Sequence, residues 1–443
     1  MNSKAIKIIF LGLFFAAVAY VGFKGTPARA NSGGPPSSRT GAPALGTFSG
    51  ELNCTASGCH QGNPVNAAGG TFTITGLPTY YLPDQEITVT VTLNRANRQL
   101  FGFQLTVLDA QGNRAGTLIV TDSSRTSIVN GSGNFGNRRY IQHNANGITP
   151  TGTNQNSWSF IWKAPSAPAG KITMYAAGNA ADGSFTSSGD FIYTTSASID
   201  PLPFGTVSGA SFTPNNTLTS EMIGSSFSVG MASGVISATL GQPLPTQLGD
   251  TEVEFTDAAN TSRNAQLFFV SDQQINYLVP PNTPDGPATV KVKRSGNVVA
   301  LGSAAVVKYS PGIFAANGDA KGIAAAQILR FIGQQFTYES VATFNQSTFK
   351  WEPLPIDMGP DTNTIYLVLY GTGIRGISSL GAATVTVGGQ SLPVLYAGTS
   401  QDYLGLDQVN IGPIPRSFIG RGAVDVVFSG DTKTSNTVSI TIK

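Results

Sequence analysis

Both cysteines of this 443-residue chain and one of its two histidines fall in a single run, Cys54-Thr55-Ala56-Ser57-Gly58-Cys59-His60. Two thiols followed at once by an imidazole can attach a haem through two thioether bonds and ligate its iron from the same loop. The usual attachment spacing has two residues between the cysteines, whereas four stand here. Gly58, just before the second cysteine, gives the longer loop backbone freedom to present both sulfurs to one porphyrin edge. The same residues suit two other chemistries: a disulfide closing a small loop, with His60 a bystander, or a metal site built from Cys and His. The motif leaves all three open.

A six-coordinate haem needs a second axial ligand. His143, in Tyr140-Ile141-Gln142-His143-Asn144, is the only other imidazole, and Met174 is the methionine nearest in sequence. A lone histidine on a strand is ordinarily a hydrogen-bonded structural residue. Paired with a Cys-His loop in the same expected domain, it becomes the candidate distal ligand. The expected cofactor is therefore haem c, anchored by Cys54 and Cys59 and ligated by His60 and His143.

The elements that must position these residues read as short strands. Ile87, Val89, Val91 and Leu93 alternate with polar residues; Phe103, Leu105 and Val107 follow a break at Gly102; Trp158, Phe160 and Trp162 alternate in turn. Each set belongs on one sheet face, and the Trp-Phe-Trp face reads as core. Asp109-Ala110-Gln111-Gly112-Asn113 supplies a hairpin-like turn. Apart from the N-terminus, no stretch sustains a helical period. Charged residues are only 11% while glycines number 52, the balance of a turn-rich all-β chain too long for one sandwich.

The first thirty residues read as an export signal: Lys4 and Lys7, an apolar run from Ile8 to Phe23, then Ala28-Arg29-Ala30 as a cleavage site. Export suits both haem attachment and disulfide formation. Removing Lys4, Lys7, Lys24 and Arg29, with no acid among these residues, takes the formal charge of +2 to −2. No basic stripe remains to suggest a nucleic-acid partner, and no later segment is apolar enough for a transmembrane span. Residues 31–50, rich in Gly, Pro and Ser, read as a linker. The expected order is signal peptide 1–30, linker 31–50, a β-sandwich with the Cys-His motif 51–200, and two immunoglobulin-like sandwiches at 201–310 and 311–443.

Two breaks support those boundaries, Pro201-Leu202-Pro203 and Tyr309-Ser310-Pro311-Gly312. The last two units read as a diverged repeat: Gln274-Ile275-Asn276 near Pro280 recurs as Gln408-Val409-Asn410 near Pro415. Its amides are expected to tie down a turn. Gly371-Thr372-Gly373-Ile374-Arg375-Gly376 matches a dinucleotide-binding fingerprint, but a strand rather than a helix is expected to follow, so the glycines read as turn residues. Two histidines, one already in the Cys motif, leave little for a hydrolytic triad, and no enzymatic activity is expected.

With those residues in view, the stretch from about Thr40 to Ile199 resembles the bacterial reeler-like (reelin-domain) proteins. The resemblance rests on Thr40-Gly41-Ala42-Pro43 before the Cys-His motif, Gly102-Phe103-Gln104-Leu105, Tyr140-Ile141-Gln142-His143 and Trp158-Ser159-Phe160-Ile161-Trp162. It implies an immunoglobulin-like sandwich in an exported, often surface-attached protein. The part from about Val207 onward resembles the Solibacter-type C-terminal domain through Ser208-Gly209-Ala210-Ser211-Phe212, Ser310-Pro311-Gly312-Ile313-Phe314 and Gly405-Leu406-Asp407-Gln408-Val409-Asn410, which implies architecture alone. The function expected is a non-catalytic haem-binding electron-transfer or redox module located in the periplasm, at the cell surface or outside the cell, with a redox protein or surface component as partner. The alternative is a cofactor-free structural or adhesive protein with a Cys54–Cys59 disulfide.

Overall fold

The computed structural model describes residues 31–55, 59–184, 186–239, 242–401 and 403–443, so the expected signal peptide and Gly58 lie outside the described residues. The chain is all-β. Its described helical turns are three single 3-10 segments, Gly133–Phe135, Leu380–Ala382 and Arg416–Phe418. Contacts divide it into two compact units, one ending at Pro201 and the other beginning at Leu202. No described helix is long and apolar enough to cross a membrane.

The first unit is a sandwich of two sheets. One has four strands in the order Gly70–Thr75, Glu86–Arg95, Gln155–Lys163 and Thr117–Val120. The other has six, in the order Tyr80–Tyr81, Phe191–Pro201, Ile172–Ala181, Leu100–Leu108, Arg139–His143 and Thr126–Asn130. Successive side chains of a strand point to opposite faces, and Ile87, Val89, Val91 and Leu93 accordingly turn inward with Trp158, Phe160 and Trp162. Trp158 packs on Phe103 from the opposing sheet with centroids 4.6 Å apart. Both indole N–H groups donate to backbone carbonyls, Trp158 to Gly147 and Trp162 to Ala115, as buried tryptophans require. Met174 is buried in this core.

The strand Leu100–Leu108 departs from simple alternation, since every residue from Phe101 to Leu108 is buried. The cause is the segment read as a linker. Residues 34–52 lie across the outer face of the six-stranded sheet: the Arg39 N–H donates to Gln104 (2.7 Å), Gln104 donates to the Pro36 carbonyl (3.0 Å), and Ser38 pairs with the Tyr140 hydroxyl. Glu51 completes the cover. Its carboxylate accepts from Thr40, Arg138 and Tyr140 at 2.5–2.6 Å, all four residues being buried. The linker reading is thus corrected. The Gly, Pro and Ser residues shape a strap that hydrogen-bonds to polar groups on the outer sheet face, rather than a free tether.

The second unit holds two separate cores, one built around Phe255, Tyr277 and Val290 and ending at Val306, the other beginning at Tyr309 and built around Leu367, Phe418 and Phe428. In the repeated motif the amides lie on strands, Gln274–Leu278 and Asp407–Ile411. Gln274 donates to Asn276 and Gln408 donates to Asn410, at 2.9 and 2.8 Å. Residues two apart share a strand face, so these amides stiffen a face rather than tie down a turn. After Gly371-Thr372-Gly373 comes no α-helix but the short 3-10 turn Leu380–Ala382 and the strand Thr384–Val387. The N–H groups of Ile374 and Arg375 instead point at the buried Asp407 carboxylate (2.6 and 3.1 Å), so the chain's own anion fills the cradle.

Candidate functional site

The Cys-His loop is held against the segment that precedes the strand Phe191–Pro201. Gln61 N–H donates to Ser187 O (2.7 Å), Gly189 N–H returns a bond to Gln61 O, and the Asn63 amide donates to the carbonyls of Gly189 and Asp190. This zipper delivers the His60 ring to the Asp190 carboxylate, with Nδ1 2.7 Å from Oδ2. Asp190 is nearly fully buried and is fixed from two further sides, accepting from the Asn179 amide (3.2 Å) and the Asp182 N–H (3.3 Å). A histidine that donates Nδ1–H to a buried carboxylate carries its lone pair on Nε2, the arrangement that orients metal-ligating imidazoles; here the Asn179 amide nitrogen lies 3.4 Å from that Nε2.

His143 ends the strand Arg139–His143, and its ring lies over Gly102 of the neighbouring strand. A Cβ at Gly102 would stand 2.5 Å from His143 Cε1 and 2.8 Å from Nδ1, so only glycine leaves room for the ring. The break in the apolar pattern at Gly102 is that vacancy seen from the sequence. His143 Nδ1 lies 2.9 Å from the Phe103 N–H and 3.1 Å from the Phe103 carbonyl. With the proton on Nδ1 it donates to the carbonyl and frees Nε2; with the proton on Nε2 it accepts from the N–H. Burial holds the His143 pKa below the usual histidine value of 6.5, although carbonyl contacts at Phe103 and Asn31 oppose the shift. The ring is therefore neutral at pH 7, as a metal ligand must be.

His60, His143 and Cys54 line one pocket. Its walls are mainly apolar, from Leu100, Phe101, Phe103 and Ile148, and Asn179 contributes a buried side-chain oxygen without a hydrogen-bond partner. The cavity itself is small, about 80 Å³, well below the roughly 300–1,000 Å³ of cofactor sites. Ser32 and Pro35, at the N-terminal end of the described chain, also line it, and a cavity of this size does not hold a macrocycle as it stands. Both cysteines are free thiols. Burial of its sulfur, reinforced by the nearby Cys59, pushes the Cys54 thiol up to about 12.

The structure thus brings together three of the four expected site residues. Cys59 is half-buried next to His60 but does not line the pocket, and Met174, buried in the core, does not line it either. Among the described residues no cluster of three or more Cys, His, Asp or Glu forms a metal cage. Of the two imidazoles and two thiols that a haem c would take from the protein, His60, His143 and Cys54 line the pocket and Cys59 does not. Asp190, Asn179 and Gly102 escaped the sequence reading as partners of the site. Gly102 carried a signal, an interruption in an apolar strand, whereas nothing local to Asp190 or Asn179 points to His60.

Residues 52–183 match the Reeler domain. Solved structures similar to the chain include the Reelin-N domain of F-spondin, at 18% identity over 32% of this chain and 91% of that one, with a TM-score of 0.22. The human F-spondin reeler domain is 20% identical over 31% and 91% of the two chains (TM-score 0.21). A cohesin module from a Clostridium perfringens family 33 glycoside hydrolase is 9% identical over 30% and 96% (TM-score 0.21). No curated protein matches the sequence. The region that carries Cys54, Cys59, His60, His143 and Asn179 is a Reeler domain.

Proposed function

We propose that this Reeler domain is an exported, non-catalytic electron-transfer or redox module that holds one haem c, with His60 and His143 as axial ligands and Cys54 and Cys59 as thioether anchors. One observation carries the reading: the only two histidines of the chain, distant in sequence, line the same apolar-walled pocket together with Cys54. When bound, the group supplies one-electron redox chemistry. His60 and His143 would hold its iron and Cys54 and Cys59 its ring, and with both imidazoles bound the group would supply electron transfer rather than oxygen chemistry.

The chain's own residues have separable tasks. Asp190 orients the His60 ring through its Nδ1. Gly102 and the Phe103 backbone place His143. The apolar walls exclude water and so weaken the charged state of whatever they enclose. The two sandwiches beyond Leu202, which resemble the Solibacter-type C-terminal domain, serve as spacer or docking surface.

The narrowness of the pocket favours a second reading, a cofactor-free structural or adhesive module with a Cys54–Cys59 disulfide. One experiment separates the two. The full chain is produced in a host competent for c-type maturation, and its intact mass and haem staining on a denaturing gel are recorded. Addition of each thiol across a haem vinyl group forms a C–S and a C–H bond and expels nothing, so the mass rises by one whole haem. A mass lower by two hydrogens, with no stain, refutes the haem reading in favour of the disulfide.

A further inference from the structure

A second site lies in the last sandwich. Its larger sheet runs in the order Gln335–Ser340, Ala326–Ile332, Asn363–Thr372, Asp407–Ile411 and Val394–Thr399. Ile328, Ile365, Leu367, Leu369 and Val409 face the core. The alternate positions carry rings: Phe331 meets Phe336 at 5.9 Å and Tyr366 edge-on at 5.8 Å, and Phe336 meets Tyr338 edge-on at 6.1 Å. Phe336 and Tyr338 are 59% and 57% exposed. The charges of these strands turn the other way. Arg330 and Glu339, adjacent to Phe331 and Tyr338 in the chain, pair with each other at 2.5 Å, so the strand period puts them on the opposite face.

At the edge of this face opens a cleft of about 520 Å³. Gln327, Ser340, Trp351, Tyr370, Ser400 and Tyr403 contribute to its lining, and no described lining residue is charged. Trp351 sits on the two-stranded ribbon Ala342–Asn345/Lys350–Pro353 opposite Phe344, 41% exposed, with Phe349 beyond at 80%. The cross-strand Phe344–Trp351 contact (5.5 Å) accounts for the ribbon's own stability, but not for Tyr403, 60% exposed on the cleft. Ser400 is 3% exposed and its hydroxyl has no hydrogen-bond partner. A buried hydroxyl without a partner is costly, and this one belongs to the lining of the cleft.

We propose that this uncharged, ring-lined cleft and the sheet face beside it bind a neutral polysaccharide. A pyranose ring offers a C–H face that stacks on an aromatic ring and a rim of hydroxyls that can satisfy Ser400, whereas Gln327 already accepts from the Tyr370 hydroxyl (2.9 Å). Phosphorylated or acidic ligands find no cation among the described lining residues. A purely apolar partner leaves the Ser400 hydroxyl unsatisfied.

The chain provides its own reporter. Of its three tryptophans, Trp158 and Trp162 are buried and only Trp351 is exposed, so acrylamide quenching of fluorescence reads this cleft. The full chain is titrated with cellohexaose, xylohexaose, mannohexaose and maltohexaose by calorimetry and by fluorescence. At least one is expected to bind with a Kd between roughly 1 μM and 1 mM, to shift the emission to the blue and to protect it from acrylamide. Tyr403→Ala and Ser400→Ala are expected to weaken that binding about ten-fold or more, read by calorimetry, with the thermal midpoint of the chain retained. No heat and no shift with any of the four at about 10 mM, or binding unchanged in both variants, overturns the proposal.

Discussion

The Reeler domain and the last sandwich share a scaffold of two packed sheets and use it in opposite ways. In the Reeler domain, soft and titratable groups gather at the ends of strands: His143 closes one strand, Asp190 precedes another, and the Cys-His loop is zipped to the segment that carries Asp190. In the last sandwich, which has no cysteine or histidine, uncharged rings spread along a sheet face with the period of the strand. A strand end can point several different side chains at one spot, which coordination requires. A strand face repeats similar contacts at regular spacing, which suits an extended ligand.

Each region also carries a buried ion pair, and the largest predicted difference between them lies there. Arg138 and Glu51 are both fully buried, whereas Arg375, the partner of Asp407, keeps 17% of its side chain exposed. Removing one partner of a fully buried pair strands the other and costs about 3–5 kcal/mol. Glu51→Ala is expected to cost the Reeler domain that much and to release the strap, read as loss of protection from proteolysis at residues 34–50. Asp407→Ala is expected to cost less, because water reaches Arg375. Equal losses in urea unfolding of the two variants break this contrast.

A smaller effect sharpens the account of His143. The Cβ of Gly102→Ala collides with the imidazole, and the ring has to leave its place at a cost of roughly 1–3 kcal/mol. Gly381, whose Cβ would lie 3.8 Å from its nearest neighbour, serves as control in the other unit, and Gly381→Ala is expected to change urea stability by less than about 0.5 kcal/mol. Matching effects at the two glycines contradict the packing described for His143.

The smallest effect is one of pH. His143 has its pKa depressed by burial below 6.5, so its neutral form favours the fold above that value. As pH falls through 6.5 the unfolded chain takes up the proton first, and stability drains away until the folded pKa is reached. By pH 6 the loss is at most about 1 kcal/mol. The fragment 202–443 has its own two cores and no histidine, so it is expected to fold alone and to hold its thermal midpoint between about pH 7.5 and pH 6. A fragment that stays unfolded by circular dichroism, or that shows the same acid slope, removes the distinction between the units.

The period-two signal made the strands legible. Ile87 to Leu93 and Trp158 to Trp162 point where their alternation says, because burial on one face selects that pattern. The strap over residues 34–52 was not legible, since Gly, Pro and Ser mark both free tethers and segments that must bend closely over a sheet. Its signal lay elsewhere, in Gln104, Thr106 and Gln142, polar residues on strands that are buried and therefore need a cover. In the site, the Cys-His run and His143 were visible through scarcity alone. Asp190 and Asn179 were not, because their link to His60 exists only after the loop has closed on the strand ends.

The central claim, that His60 and His143 face one iron, is tested most directly by the visible and electron paramagnetic resonance spectra of the full chain matured with haem. The account predicts a low-spin ferric signal for the native chain. It further predicts that His143→Ala keeps the covalent haem but converts the signal to high-spin or mixed. A native chain that is already high-spin, or a His143→Ala variant that stays fully low-spin, contradicts it.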